Sequence, residues 1–352
     1  MKQKPSPTSR RFGYLVLTSA QGDTAVAGGT ILLQERTENT AQAAASGQFR
    51  GLAVQARDMI AVSRGVVAYN FAYLALVWGL ALGSIALFWA LPAWYTFVLA
   101  FLVVSSRHQA LLNVEHECIH GKFVADRRWN SLIGRWLCAA PVGSPYEASR
   151  ARHLSHHRLL ATPEDPDHDL HAGPGKRTRA GMFRHFIGGL FGGYAGMVLM
   201  GPPRRNGAPS APGAKRRDAL SLALAQIALA TGLTLAFAWW VYPALWLAPL
   251  ATVTVLSHLV RSFVEHAITD DEQPGHSNRL ITIRSNWVER FMVAPYGMNY
   301  HAEHHLLPTV PAPRLRRLHE RISGREDLPP VLVRSSYGAA IRRYVRALPD
   351  DD

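Results

Sequence analysis

The chain has 352 residues, 48% of them hydrophobic, and a formal charge of +13. So basic a chain could bind nucleic acid, but its Lys and Arg form no stripe interleaved with aromatics on a soluble segment, which argues against that class of partner. Only two cysteines occur, Cys118 and Cys138, without a CxxC pair, so neither a disulfide framework nor a zinc ribbon is implied.

Residues 1–60 are rich in Ala, Thr, Gly and Gln and lack a sustained period, which predicts a poorly ordered N-terminal tail. Arg10 and Arg11 precede an apolar run too short for a targeting signal, and Met59 is an alternative start. From Gly65 to Ser106, 42 consecutive residues contain no Asp, Glu, Lys, Arg or His, and from Ala219 to Ser257 there are 39 more. A bilayer core about 30 Å thick needs about 20 helical residues to cross, so each stretch accommodates two passes. Pro92 and Pro243, both flanked by Trp, mark a turn in each stretch. The expected fold is an all-α integral membrane protein with spans at about 66–90, 93–112, 219–241 and 244–263, arranged as two hairpins under a cytosolic helical cap. Every Lys and Arg lies outside the hairpin tips, which places both termini and the middle segment together on the cytoplasmic side. The glycine-rich, uncharged segment beginning at Phe186 is expected to be interfacial or re-entrant, and Arg204–Asp218 a surface loop.

Three short clusters hold eight of the 16 histidines: His116 and His120 in HECIH; His153, His156 and His157 in HLSHH; His301, His304 and His305 in HAEHH. Positions i, i+3 and i+4 share a helix face, so each cluster can aim two or three imidazoles at one place. His108, His171, His185, His276 and His319, being isolated, read as surface histidines. Zinc takes three or four protein ligands, so eight imidazoles exceed one zinc site. Two metals fit the count, and imidazole suits iron. All three clusters must then lie on one side of the membrane, which four spans allow and five would not. HECIH also matches the HExxH zinc-protease pattern, with Glu117 as base, but the sequence after it lacks a third histidine and six clustered histidines would go unused. A metal transporter is the alternative from another class, disfavoured because the histidine clusters lie outside the expected spans, and His258, inside one, is isolated.

The three boxes with their intervening apolar stretches resemble the membrane fatty acid desaturase family, whose wider superfamily includes hydroxylases and ketolases. The resemblance covers about residues 66–320; it makes 61–325 the membrane desaturase domain and 326–352 a C-terminal tail. TPEDPDHDL after the second box and LLPTVPAPRLRRLHE after the third are similar to family continuations. The resemblance implies a non-haem diiron centre with the eight box histidines as ligands, and it adds His266, in RSFVEH, as a ninth, with His258 as the weaker candidate. Asp165, Asp167, His168 and Asn113 are candidate hydrogen-bond partners of the ligands. Glu117 and Glu303, between ligands, read as neighbouring or solvated groups rather than bases.

Dioxygen as co-substrate, desaturation of a lipid or acyl chain, and an external electron donor such as a ferredoxin or a cytochrome are further implications. Hydroxylation, ketolation or desaturation of a specialised metabolite of the rhizobitoxine type are the alternatives. No HPGG haem signature or GxGxxG loop is present, so electrons must arrive from outside. Lys122, Arg127, Arg128 and Arg135 could dock an acidic carrier or face anionic membrane lipids. The expected location is a bacterial inner membrane.

Overall fold

The structure, a computed structural model, describes residues 52, 56–172, 178–193, 212–269, 272, 279–325 and 331–348. In chain order the elements that position the site are α1 (Arg64–Ala90), α2 (Trp94–Ile119), α3 (Tyr146–Leu159), α4 (Ala214–Ala236), α5 (Pro243–Val264), α6 (His301–Leu306) and α7 (Tyr337–Ala347). Helices α1, α2, α4 and α5 are each long and apolar enough to cross a bilayer. The protein is a mostly helical integral membrane protein.

Helix α1 starts at the Ser63 cap and stops before Pro92. Thr96 closes the turn into α2, accepting from the Ala93 N–H at 3.1 Å and donating to the Leu91 carbonyl at 2.6 Å. The outward face of α1 carries exposed Leu76, Leu82, Leu87 and Trp89, a surface suited to hydrocarbon. Its one buried amide, Asn70, donates to the Phe123 carbonyl at 2.8 Å and accepts from the Tyr296 hydroxyl at 2.5 Å. A single side chain thus ties the first span to the loop after the first histidine box and to the segment before the third.

Helix α2 runs to Ile119 rather than ending near 112, because its last turns are enclosed by protein. Arg107, where the uncharged stretch ends, is buried over the Phe291 ring at 4.3 Å and donates to the Phe291 carbonyl at 3.3 Å. Protein contacts, not water, receive that charge.

The expected second hairpin is not a closely packed pair. Helix α4 packs chiefly on the segment Gly134–Val142 and on α3. Its Asp218 accepts from the Glu147 and Ala148 N–H groups at 2.9 and 3.2 Å, satisfying the start of the second-box helix. Helix α5 opens with two π-helical segments, Pro243–Leu247 and Leu250–Thr254, before becoming regular at Val255. Such irregular turns re-aim the side chains that follow. Here they precede His258, Arg261, Glu265 and His266.

Gly134 is wedged against Tyr146 of α3 and Cys118 of α2: an added Cβ would stand 2.6 Å from the Tyr146 ring and 2.7 Å from the Cys118 Cβ. Gly134→Ala is expected to cost about 1–3 kcal/mol through overpacking. A thermal melt read by fluorescence-detected size exclusion checks it; an unchanged midpoint would contradict this packing.

Two boundaries differ from expectation. Residues 331–348 do not trail away: Leu332–Arg334 pairs in parallel with Ile281–Ile283, and Tyr337, Ile341 and Tyr344 on α7, with Leu348 just beyond it, cluster with Phe263 at the end of α5. An 11-residue helix with an apolar stripe is stable only when something covers that stripe, and the partner is remote in sequence. At the other end Leu52, Ala56 and Met59 are buried in the main core, and Arg314 donates to the Met59 carbonyl at 2.9 Å, so the fold begins before residue 61. Residues 1–51 and 53–55 lie outside the described residues. The Phe186 segment begins inside a 12-residue helix, Arg179–Leu190, too short to span, whose Gly189 sits against Leu259; residues 194–203 lie outside the described residues.

Candidate metal centre

All nine histidines singled out from the sequence meet in space. His116 and His120 come from the end of α2, and His153, His156 and His157 from α3. His266 follows α5, and His301, His304 and His305 lie on α6. They form two groups: His116, His120, His153, His157 and His304 in one, His156, His266, His301 and His305 in the other. Within each, one ligand atom per residue lies within 4.8 Å of all the others.

The second and third boxes are therefore divided rather than each aimed at one place. At about 100° per residue, positions four apart differ by about 40° around the axis, whereas three apart differ by about 60° in the opposite sense. His153 and His157 accordingly share the first group while His156 turns to the second. His301 and His305 share the second while His304 turns to the first. The His157 and His305 rings stack at 4.1 Å between centroids, joining the groups.

The nitrogen positions suit metal binding. With metal–nitrogen bonds of about 2.1 Å, two imidazoles at right angles would place their nitrogens about 3 Å apart. In the first group the Nε2–Nε2 separations are 2.7 Å (His120–His153), 2.9 Å (His153–His157) and 3.1 Å (His157–His304). In the second they are 3.2 Å (His156–His266), 2.9 Å (His266–His301) and 3.0 Å (His301–His305). Among the described residues, neither ring nitrogen of buried His116 has a hydrogen-bond partner. Buried polar atoms are rarely left so, and a bound cation would satisfy one of these two.

Charge state points the same way. Burial, reinforced by neighbouring cationic groups, holds His153, His266, His301, His304 and His305 well below the ordinary imidazole range. Burial and the charges of Arg150 and Lys122 bring His120 to about 4. These rings are neutral at pH 7, the form that offers a lone pair to a metal. His156 is the exception: burial lowers its pKa, but the hydrogen bond to Asp165 and the charge of Asp167 outweigh that and raise it.

Partners on the far nitrogens orient the second group. His156 Nδ1 lies 2.9 Å from Asp165 Oδ1, His266 Nδ1 lies 3.0 Å from the Arg279 carbonyl, and His301 Nδ1 lies 3.2 Å from Glu265 Oε2. Of the expected partners, Asp165 is in direct contact, while Asp167 is held by Arg152 at 2.5 Å and stays 3.8 Å from His156. His168 contacts Asp165 only through its backbone N–H, at 3.0 Å. Asn113 acts at one remove, accepting from Arg261, which also donates to Glu265.

A match to the family model "Fatty acid desaturase" covers residues 92–334, about two thirds of the chain. The chain belongs to the fatty acid desaturase family. Among curated proteins, this family member is 27% identical over 258 residues to a "Beta-carotene ketolase" of Paracoccus sp. (strain N81106 / MBIC 01143), covering 72% of the chain and 89% of the relative. It is 24% identical over 277 residues to an "sn-1 acyl-lipid omega-3 desaturase (ferredoxin)" of Synechocystis sp., covering 73% and 75%. It is also 24% identical over 236 residues to a "Dihydrorhizobitoxine desaturase" of Bradyrhizobium elkanii, covering 62% and 65%. The desaturase-family protein is thus an oxidoreductase of a superfamily that contains both desaturases and ketolases.

Several histidines that read as surface residues are not. His108 is fully buried against Trp246, His185 is buried, and His171 Nε2 lies 3.2 Å from Asp165 Oδ2. His319 is half-buried on Glu303, with Nδ1 and Oε1 2.5 Å apart; His276 lies outside the described residues. Sequence reasoning missed Glu265 as a partner of His301, and with it Arg261, Arg279 and Tyr337. Only Glu265 carried a local signal, its place beside His266. Glu117 accepts from the Ala312 N–H at 3.0 Å and so serves packing.

A cavity of about 140 Å³ between α2, α3 and α5 touches both groups. Its walls include His116, His153, His156, His266 and His301, with Leu112 and Ile119 as aliphatic members and Glu115, Ser149 and His258 as polar ones. His258 belongs to this wall and to neither histidine group.

Proposed function

We propose that the protein catalyses O2-dependent desaturation of a lipid or fatty acyl chain at a non-haem diiron centre. The carrying observation is the pair of groups of five and four imidazoles, the first partly and the second fully buried. His116, His120, His153, His157 and His304 would hold one iron; His156, His266, His301 and His305 the other. Bound there, two irons with dioxygen supply oxidising power that no acid or base side chain possesses. The reaction balances as one CH2–CH2 unit, O2, two electrons and two protons giving CH=CH and two waters. The side chains would hold the two ions, and the cavity would bring one stretch of substrate to both groups.

A second reading is oxygen insertion leading to a hydroxyl or ketone, favoured by the match that spans 89% of a β-carotene ketolase. The two reactions share the same electron and oxygen supply and differ in where the substrate radical ends. Dihydrorhizobitoxine desaturase extends the range of substrates to specialised metabolites. The zinc-protease reading loses its base, since Glu117 is committed to Ala312 and does not line the cavity.

The electron donor is external, a ferredoxin or a cytochrome, arriving at the basic cytoplasmic face of a bacterial inner membrane. Arg127 and Arg128 are exposed there, whereas Arg135 is paired with Glu147. The test combines metal analysis of detergent-purified protein with lipid and carotenoid profiling of expressing cells. Two irons per chain with a new double bond support desaturation; a new keto or hydroxy product selects the second reading; one zinc with unchanged lipids rejects both.

Leu112→Trp, one turn before His116, is expected to fill the cavity and abolish product while leaving metal content at the wild-type level. Product formed at the wild-type rate would mean that substrate reaches the histidines by another route.

A further inference from the structure

Tyr337 opens α7, which begins beyond residue 334, where the family match ends. Its ring is 1% exposed, and its hydroxyl donates to Glu265 Oε1 at 2.8 Å. The same oxygen accepts from Arg261 Nε at 3.0 Å, and the other carboxylate oxygen, Oε2, lies 3.2 Å from His301 Nδ1. His301 is central to the second group: its Nε2 is 2.9 Å from His266 Nε2 and 3.0 Å from His305 Nε2. The chain Tyr337–Glu265–His301 therefore runs from a C-terminal helix to the lone pair of one histidine.

We propose that α7 is a working part of the metal centre and that Tyr337 is a positioning residue for the second metal position; this rests on the diiron reading above. A carboxylate on Nδ1 fixes the tautomer that leaves Nε2 free to bind and holds the ring at its angle. Glu265 can do this only while its own rotation is restrained, and two donors on Oε1 supply the restraint. The Tyr337–Glu265 chain ends on His301, which belongs to the second group and not to the first. Loss of the Tyr337 hydroxyl therefore acts on one metal position and spares the other.

The test is anaerobic titration of purified, metal-free full-length protein with Co(II), followed by its visible ligand-field spectrum, for wild type, Tyr337→Phe and Glu265→Gln. Wild type is expected to take two equivalents. Tyr337→Phe should retain one at wild-type affinity and bind the other about tenfold more weakly, the scale on which outer partners of metal ligands act. Glu265→Gln should show the same pattern with a larger shift. The melting temperature of the metal-free proteins separates positioning from packing, because a merely structural Tyr337 would lower it and weaken both positions together. Either that result, or two unchanged affinities in Tyr337→Phe, would overturn the inference. Fewer than two equivalents in wild type would defeat the dinuclear reading itself, and this proposal with it.

Discussion

Replacing His304 or His156 with alanine is expected to abolish product formation while membrane insertion is retained. The two substitutions strike different groups: His304 lies 3.1 Å from His157 in the first, and His156 lies 3.2 Å from His266 in the second. Removing even an outer partner of a metal ligand lowers affinity or activity about 10–100-fold, so loss of a ligand itself should exceed that range. Insertion is spared because both residues lie outside the four long apolar helices. The residual metal differs in the two variants, one position emptied in each, and metal analysis should report about one ion per chain in both. Turnover within tenfold of wild type in either variant would remove the dinuclear assignment.

Metal exchange has the second large effect. Chelation followed by reloading with Fe(II) should restore activity, whereas reloading with Zn(II) should give folded, inactive protein. Zinc takes the same imidazoles but has no redox chemistry, so it fills the site without accepting or delivering electrons. The expected difference is complete loss against recovery, read by product analysis under air with a reducing system. A zinc-loaded protein that turned over, or that cleaved peptides, would reverse the assignment and return HECIH to the role of a protease motif.

The sequence by itself determined the membrane character, the four long apolar segments and the eight box histidines, to which family resemblance added His266. Hydrophobic length and box spacing are local properties, fixed by bilayer thickness and helix pitch. It did not determine which histidines act together. The sequence suggested that His153, His156 and His157 could point to one place; the helix pitch turns His156 away from the other two, and the fold brings His116 and His120 to His153 and His157 but His266 to His156. Nor was the support of the second group legible. Glu265 reaches His301 across 36 positions of sequence, and Tyr337 reaches Glu265 across 72. The C-terminal segment read as a tail because its apolar stripe has no partner nearby in the chain. Tertiary packing decided these points, since a short amphipathic helix, a buried carboxylate and the rotation of an imidazole gain their stability from surfaces distant in sequence.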